Sequence, residues 1–442
     1  MINQTPYGET IYALSSGGLP SGIAVVRLSG PHTRSVVEQI AGSVPPPRQA
    51  KLVRFQNREG GVIDTGLCIF FPGPASFTGE DCAEFHLHGG RAVVRAMLEL
   101  ISSFRGTRAA EAGAFTQRSF LNGKMDLTAA EALADLIDAE TEAQRLFAIA
   151  NNSDAHRQLY SGWRRILLEA RALLEAELDF SDEGDVPGSV SDRVWTDLAK
   201  LLSAIRTHAS GYHRAEIVRE GLSIVILGAP NSGKSSLLNA LAKRDVAIVT
   251  DEAGTTRDLL EISLDIAGMK VNLVDTAGIR ERAAKVEAIG IERALKRAGE
   301  ADLILYLQDA TNPKSVPLPD MAPILRVGTK ADLLANPHHE KWDRLVSTVN
   351  GSGLVELLEE IEKLCRPLQE STGEILPFRS RHIEELRTAA ECLEAAVESI
   401  SMDLELRAED LRRAADALGR ICGDIGTEEV LGEIFSSFCI GK

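Results

Sequence analysis

The chain has 442 residues, a formal net charge of −16 and 44% hydrophobic residues. That length predicts about three domains, and the acidic balance excludes a broadly nucleic-acid-binding surface while leaving room for a local basic patch. The six cysteines, at 68, 82, 365, 392, 422 and 439, form no C-x-x-C pair; with no secretory signal and no apolar run near the ~18 residues of a membrane span, reduced thiols and a cytoplasmic location are expected.

Three textures follow along the chain. Residues 1–118 mix strand-like runs, Gly22-Ile-Ala-Val-Val-Arg-Leu28 and Leu67-Cys-Ile-Phe-Phe71, with Gly/Pro turns and a helix from Arg91 to Ser102. This predicts an α+β domain. Residues 119–217 turn to helical periodicity, as in Ala129, Leu133, Leu136, Ile137 and Ala139. Within them, Asp179-Phe-Ser-Asp-Glu-Gly-Asp-Val-Pro187 lacks Ca²⁺-loop spacing and reads as a solvated interhelical loop. Residues 218–366 alternate strands and helices, the signature of a parallel sheet with flanking helices. Helical spacing returns over 379–442 (Ile383, Leu386, Ala389, Leu393, Ala396), with Gln369-Glu-Ser-Thr-Gly-Glu374 as the linker between. The expected architecture is a multidomain α/β chain with a Ras-like P-loop domain inserted into a helical bundle.

The inserted domain carries the chemistry. Gly228-Ala-Pro-Asn-Ser-Gly-Lys-Ser-Ser236 fits G-x-x-x-x-G-K-[ST], between the apolar strand Ser223–Leu227 and a helix from Ser235. Backbone N–H groups around Asn231, Ser232, Gly233 and Ser236, and the helix N-terminus, suit phosphate oxygens. Lys234 is expected to reach the β- and γ-phosphates, and the Ser235 hydroxyl to bind Mg²⁺. Thr250-Asp-Glu-Ala-Gly-Thr-Thr-Arg257 is a hydroxyl-rich loop in which Thr256 suits a second Mg²⁺ ligand. The strand Leu273-Val-Asp-Thr-Ala-Gly278 ends in Asp-x-x-Gly, setting Asp275 near the Mg²⁺ shell and Thr276, Ala277 and Gly278 beside the γ-phosphate.

Base reading falls to Thr329-Lys330-Ala331-Asp332, after the strand Ile324–Gly328. The Asp332 carboxylate can accept from guanine N1–H and the exocyclic amine, which favours GTP over ATP. The usual Asn is replaced by Thr329, which keeps a hydroxyl and loses an amide. Ser347 begins a weaker match to the loop that GTPases set against the base. Ile279 replaces the water-orienting Gln of Ras-like enzymes. Asn231 either binds a monovalent cation in place of an arginine finger or caps its own loop. Glu287 either orients water or lies on a surface helix. In the first domain, Glu84, His86 and His88 alternate with Cys82 along one strand, a metal-like set whose spacing also suits one exposed strand face.

On several segments the chain resembles the MnmE (TrmE) family of tRNA-modification GTPases. They are Phe77-Thr-Gly-Glu-Asp81, His88-Gly-Gly90, Phe120-Leu-Asn-Gly-Lys-Met-Asp126, the run Gly423–Phe435 and the ending Phe438-Cys-Ile-Gly-Lys442. The resemblance covers the whole chain. It implies an N-terminal folate-binding and homodimerising domain, a helical domain in two pieces and an inserted GTPase domain. It implies a heterotetrameric partnership with the FAD protein MnmG and action on C5 of the wobble uridine of certain tRNAs, with a one-carbon unit from methylene- or formyl-tetrahydrofolate. Folate contacts map onto Arg27, Glu84, Lys124 and Lys442. K⁺ ligands map onto Asn231, Thr250, Glu252 and Thr255, and the water-orienting glutamate onto Glu287. Cys439 is either a nucleophile or a passive residue near the folate. Two other readings stand beside this one: a ribosome-assembly GTPase without modification chemistry, and a folate-dependent aminomethyltransferase for protein or small molecules.

Overall fold

The computed structural model describes residues 8–441 except 153, 180–189, 245, 249–260, 276–298, 300, 319–321, 335–340, 371, 399–402, 426–427, 437 and 439. The chain forms two compact units: residues 1–134, 156–165 and 415–442 in one, and 135–155 with 166–414 in the other.

The first unit is built on a six-stranded sheet in the order β3-β4-β5-β2-β1-β6. Its strands are β1 (Thr10–Leu14), β2 (Ser21–Ser29), β3 (Lys51–Gln56), β4 (Val62–Phe71), β5 (Cys82–Gly89) and β6 (Thr107–Ala109). Pairing is antiparallel except between β1 and β6. Alternation along β2 buries Ala24, Val26 and Leu28 on one face and leaves Arg27 on the other. The helices Thr33–Ala41 and Arg91–Ser102 close the buried face with Val36, Val37, Ile40, Met97 and Ile101. Each such side chain contributes about 1.5–3 kcal/mol by leaving water. Phe55 meets Phe85 edge-on at 5.3 Å between ring centres. The helix Ala114–Leu121 is tied back by an ion pair, Arg118 Nη1 to Glu80 Oε2 at 2.7 Å, with side chains only 3% and 2% exposed. Leu127, Ala130, Leu431, Phe435 and Phe438 make a second cluster. Of the metal-like set only Glu84 and His86 meet each other, while Cys82 and His88 turn to residues outside it. Cys82 Sγ lies 3.2 Å from Thr78 Oγ1, Glu84 pairs with Arg27 and with His86, and His88 Nδ1 lies 2.9 Å from Asp64 Oδ1.

The second unit holds a six-stranded sheet in the order β12-β11-β10-β7-β9-β8. The strands are β7 (Leu222–Gly228), β8 (Glu261–Ile266), β9 (Met269–Asp275), β10 (Leu303–Asp309), β11 (Ile324–Thr329) and β12 (Arg344–Leu345). The expected parallel pairing holds except at the edge, where β8 and β9 are antiparallel. Their turn, Ala267–Gly268, has φ 53 and 82, the left-handed pair of a two-residue hairpin. The turn meets the helix Glu142–Asn151 at its N-terminus. Ala143 N–H donates to Gly268 O at 2.9 Å, Gln369 donates to Ala267 O, and Lys270 pairs with Glu140. Thr141 and Gln144 complete that helix end as a capping box. The helices Val190–Ala209 and Ser380–Glu398 pack together, with Leu386, Ala389, Leu393 and Ala396 buried as their spacing predicts. Gln369 and Glu370, read as linker in the sequence, instead close the helix Leu354–Glu370. The acidic run after Asp179 lies outside the described residues.

Candidate functional site

The phosphate loop is shaped by close backbone approach. A Cβ on Gly228 would stand 2.3 Å from Leu307 O, so only glycine fits where β7 passes β10. Asn231 and Gly233 take φ 64 and 93, folding the loop into a nest ahead of the helix Lys234–Ala242. Lys234 Nζ donates to Gly228 O at 2.9 Å and Ala229 O at 3.0 Å, which folds the ammonium over the loop. Ser232 Oγ is buried with no partner. Asn231, Ser235 and Ser236 face solvent. A cavity of about 170 Å³ beside the loop is lined by Asn231, Ser232, Asp309, Asn312 and Lys314 among others.

Asp275 ends β9 and is 1% exposed. Its Oδ2 accepts from Ser235 Oγ at 3.1 Å, so the two residues read separately as Mg²⁺-side groups meet. A hydroxyl and a carboxylate are the hard oxygen donors that Mg²⁺ takes. Thr329 ends β11 at 2% exposure, and its Oγ1 donates to Ser232 O at 2.7 Å, with Gln308 O at 3.2 Å. Asp332 is exposed, and its Oδ1 accepts from the buried Ser347 Oγ at 2.5 Å. Lys330, at φ 58, pairs with Asp309. Burial pushes the Asp309 carboxyl up, but the Lys330 ammonium and the Thr311 hydroxyl and N–H outweigh it and hold the group at about 2. Thr250, Glu252, Thr255, Thr256, Thr276, Ala277, Gly278 and Glu287 lie outside the described residues.

In the other unit, Arg27 and Glu84 face each other across β2 and β5. Arg27 Nε and Nη2 donate to Glu84 Oε1 at 3.1 and 2.9 Å. The Arg27 guanidinium lies 5.7 Å from the Phe77 ring and 5.8 Å from the Phe115 ring, an aromatic frame the sequence did not reveal. Lys124 Nζ donates to Pro74 O at 3.0 Å, Asn122 Nδ2 to Thr78 O at 2.6 Å and Ser119 Oγ to Phe77 O at 2.8 Å. These bonds and the Arg118–Glu80 pair fix the loop that carries Phe77. Residues 440 and 441 meet the chain at the end of β1 and just past β6. Ile440 bridges Ala112, and Ser15 Oγ donates to Gly441 O at 2.8 Å. Gly441 packs on Leu14, whose β1 neighbour Ala13 is paired with Arg27. Cys439 and Lys442 lie outside the described residues. The site thus holds a carboxylate, a guanidinium and an aromatic face.

A family model described as GTP-binding protein TrmE N-terminus matches residues 10–124, and one described as MnmE helical domain matches residues 127–439. The tRNA modification GTPase MnmE of Chelativorans sp. is 58% identical over 442 residues, 100% of both chains. The chain belongs to the MnmE family of tRNA modification GTPases. The MnmE proteins of Mesorhizobium japonicum (58% over 440 residues; 98% of this chain, 99% of that one) and Brucella melitensis biotype 1 (54% over 437 residues; 99% of each) extend the match. Among solved structures, the G domain of the T. maritima FeoB iron transporter is 25% identical over 32% of this chain and 97% of its own, with a TM-score of 0.25. As an MnmE family member the chain is a GTP hydrolase that acts in tRNA modification, which sets aside the ribosome-assembly reading. Among the described residues no helix is long and apolar enough to cross a membrane.

Proposed function

We propose that the chain is a K⁺-stimulated GTPase that works as a homodimer. With an MnmG-like FAD protein, it installs an aminomethyl or carboxymethylaminomethyl group at C5 of the wobble uridine. The domains are 1–118 for folate and dimerisation, 119–217 with 379–442 as the helical domain, and 218–366 for GTP. The observation that carries the reading is the Arg27–Glu84 pair beside Phe77, on a sheet whose strand β1 also meets the segment at 440–441, in a chain that also holds a phosphate loop. Such a pair beside an aromatic face suits a one-carbon transferase, which must orient a folate.

In this reading Glu84 accepts from the pterin edge, and Arg27, Lys124 and Lys442 hold carboxylate or formyl oxygens. The bound folate supplies the one-carbon unit. Ser235 and Thr256 hold Mg²⁺, and Asn231, Thr250, Glu252 (by its carbonyl) and Thr255 hold K⁺. The two ions supply positive charge for the phosphoryl oxygens. Lys234 leaves its two carbonyls for the β- and γ-phosphates, Asp332 reads guanine with Ser347 behind it, and Glu287 orients water. Cys439 is the candidate nucleophile for the uridine. The protein works in the cytoplasm. GTP brings two G domains face to face, and hydrolysis parts them. Turnover measured in KCl and then in NaCl at equal ionic strength tests the cation role; equal rates would remove it. Nucleoside mass spectrometry of tRNA from a deletion strain tests the chemistry, and an unchanged wobble uridine would remove it.

A further inference from the structure

We infer that Thr329, which stands in the base-reading motif, acts on the phosphates instead: it is a positioning residue for the phosphate loop. The inference rests on the reading of 228–236 as the nucleotide cradle.

A threonine hydroxyl has one hydrogen to give. Thr329 Oγ1 lies 2.7 Å from Ser232 O and 3.2 Å from Gln308 O, so the shorter bond takes it. No donor is left for a purine nitrogen. The carbonyl of Ser232 and the N–H of Gly233 belong to one planar trans peptide and point in opposite directions. Holding the carbonyl against β11 therefore aims the Gly233 N–H away from it, into the concave side of the loop. Gly233, at φ 93, is the residue before the helix Lys234–Ala242, where N–H groups and the helix dipole converge on an anion. A Cβ placed on Gly233 would stand 3.3 Å from Thr329 Oγ1 and 3.4 Å from its Cβ and Cγ2, so the whole side chain backs this peptide. Base reading is left to Asp332, which Ser347 orients from a buried position. An asparagine would reach the same acceptor only with a longer side chain in a site that is 2% exposed.

The test uses the full chain and its affinities for GDP, IDP and inorganic pyrophosphate. IDP lacks the exocyclic amine that Asp332 would bind. Thr329→Val keeps the shape, removes the donor and leaves the Ser232 carbonyl buried without a partner. It should weaken GDP, IDP and pyrophosphate alike by about tenfold, leaving the GDP-to-IDP ratio unchanged. Thr329→Ser, which retains the donor, should restore most of the affinity. Asp332→Asn should instead collapse the ratio. A Thr329→Val variant that loses GDP affinity more than about threefold beyond IDP, or that binds all three ligands normally, overturns the inference. If the unmodified chain binds no GDP, the cradle reading itself falls, and this inference with it.

Discussion

Gly441→Ala is expected to detach the segment at 440–441 from the first sheet and, with it, the folate. Gly441 has φ 95, a conformation that costs an L-residue about 1–2 kcal/mol. The added methyl would stand 2.3 Å from Leu14 O and 2.9 Å from Ser15 Cα, both backbone atoms of a strand end that cannot swing aside as a side chain would. If the segment leaves instead, it forfeits the Ser15 hydroxyl bond at 2.8 Å and the bridge to Ala112, about 1 kcal/mol each. Those bonds favour the docked state and the strain opposes it: about 1–2 kcal/mol of conformational cost, with the methyl clash added, lowers the docked population by about tenfold or more. Calorimetric titration with formyl-tetrahydrofolate should show that loss, and amide exchange at Ile440 should accelerate. Gly22→Ala serves as the control, since nothing lies within 4 Å of its Cβ. Normal exchange at Ile440 would refute the steric reasoning. Fast exchange with unchanged folate affinity would refute the part given to this segment in the folate site.

Arg118→Met should lower the local stability of β2 and β5 by about 3–5 kcal/mol, read by native-state amide exchange, because it leaves Glu80 charged and buried. Glu84→Gln should abolish measurable folate binding in the same titration while GTP hydrolysis stays within about twofold, since it removes the charge beside Arg27 and puts an amide donor in place of one acceptor oxygen. Asp309, whose carboxyl is held at about 2, contributes stability that is fully present above the ordinary carboxylate range and is lost as pH falls toward that value. The denaturation midpoint of Asp309→Asn should therefore lie below that of the unmodified chain at pH about 5, and the gap should close as pH approaches about 2.

Features that depend on neighbouring residues were legible. The spacing of Val94, Met97 and Ile101 marks the helix Arg91–Ser102 to the residue, and the strand–loop–helix around 228–236 follows from its own glycines. That Asp275 and Thr329 stand at the C-terminal ends of strands was equally clear, although each proves to be the last residue of its strand, β9 and β11, rather than the first beyond it. Strand ends were less so: β4 begins at Val62, five residues before the apolar run at Leu67, because Asp64 and Thr65 carry no hydrophobic signal yet pair with Phe55 and Arg54. Contacts across long separations left no periodic trace. The pair Arg118–Glu80 spans 38 residues, Arg27–Glu84 spans 57 and Thr329–Ser232 spans 97. Nothing in the run around Thr329 signals that its hydroxyl is already engaged. The antiparallel edge at β8 escaped notice because Ala267–Gly268 is not one of the usual Asn-Gly or Asp-Gly pairs.

The hairpin turn at Ala267–Gly268 makes one helix end a property of two distant stretches of sequence. Ala143 N–H is among the donors that a helix cannot satisfy for itself, and its acceptor belongs to Gly268. Glu140 likewise finds its cation at Lys270, 130 residues on. Excising the nucleotide-binding stretch would therefore do more than remove an activity: it would return that N–H and that carboxylate to water and fray the helix from Glu142. In the intact chain, opening the hairpin and fraying the helix are one event, so exchange at Ala143 should report on the integrity of β8 and β9.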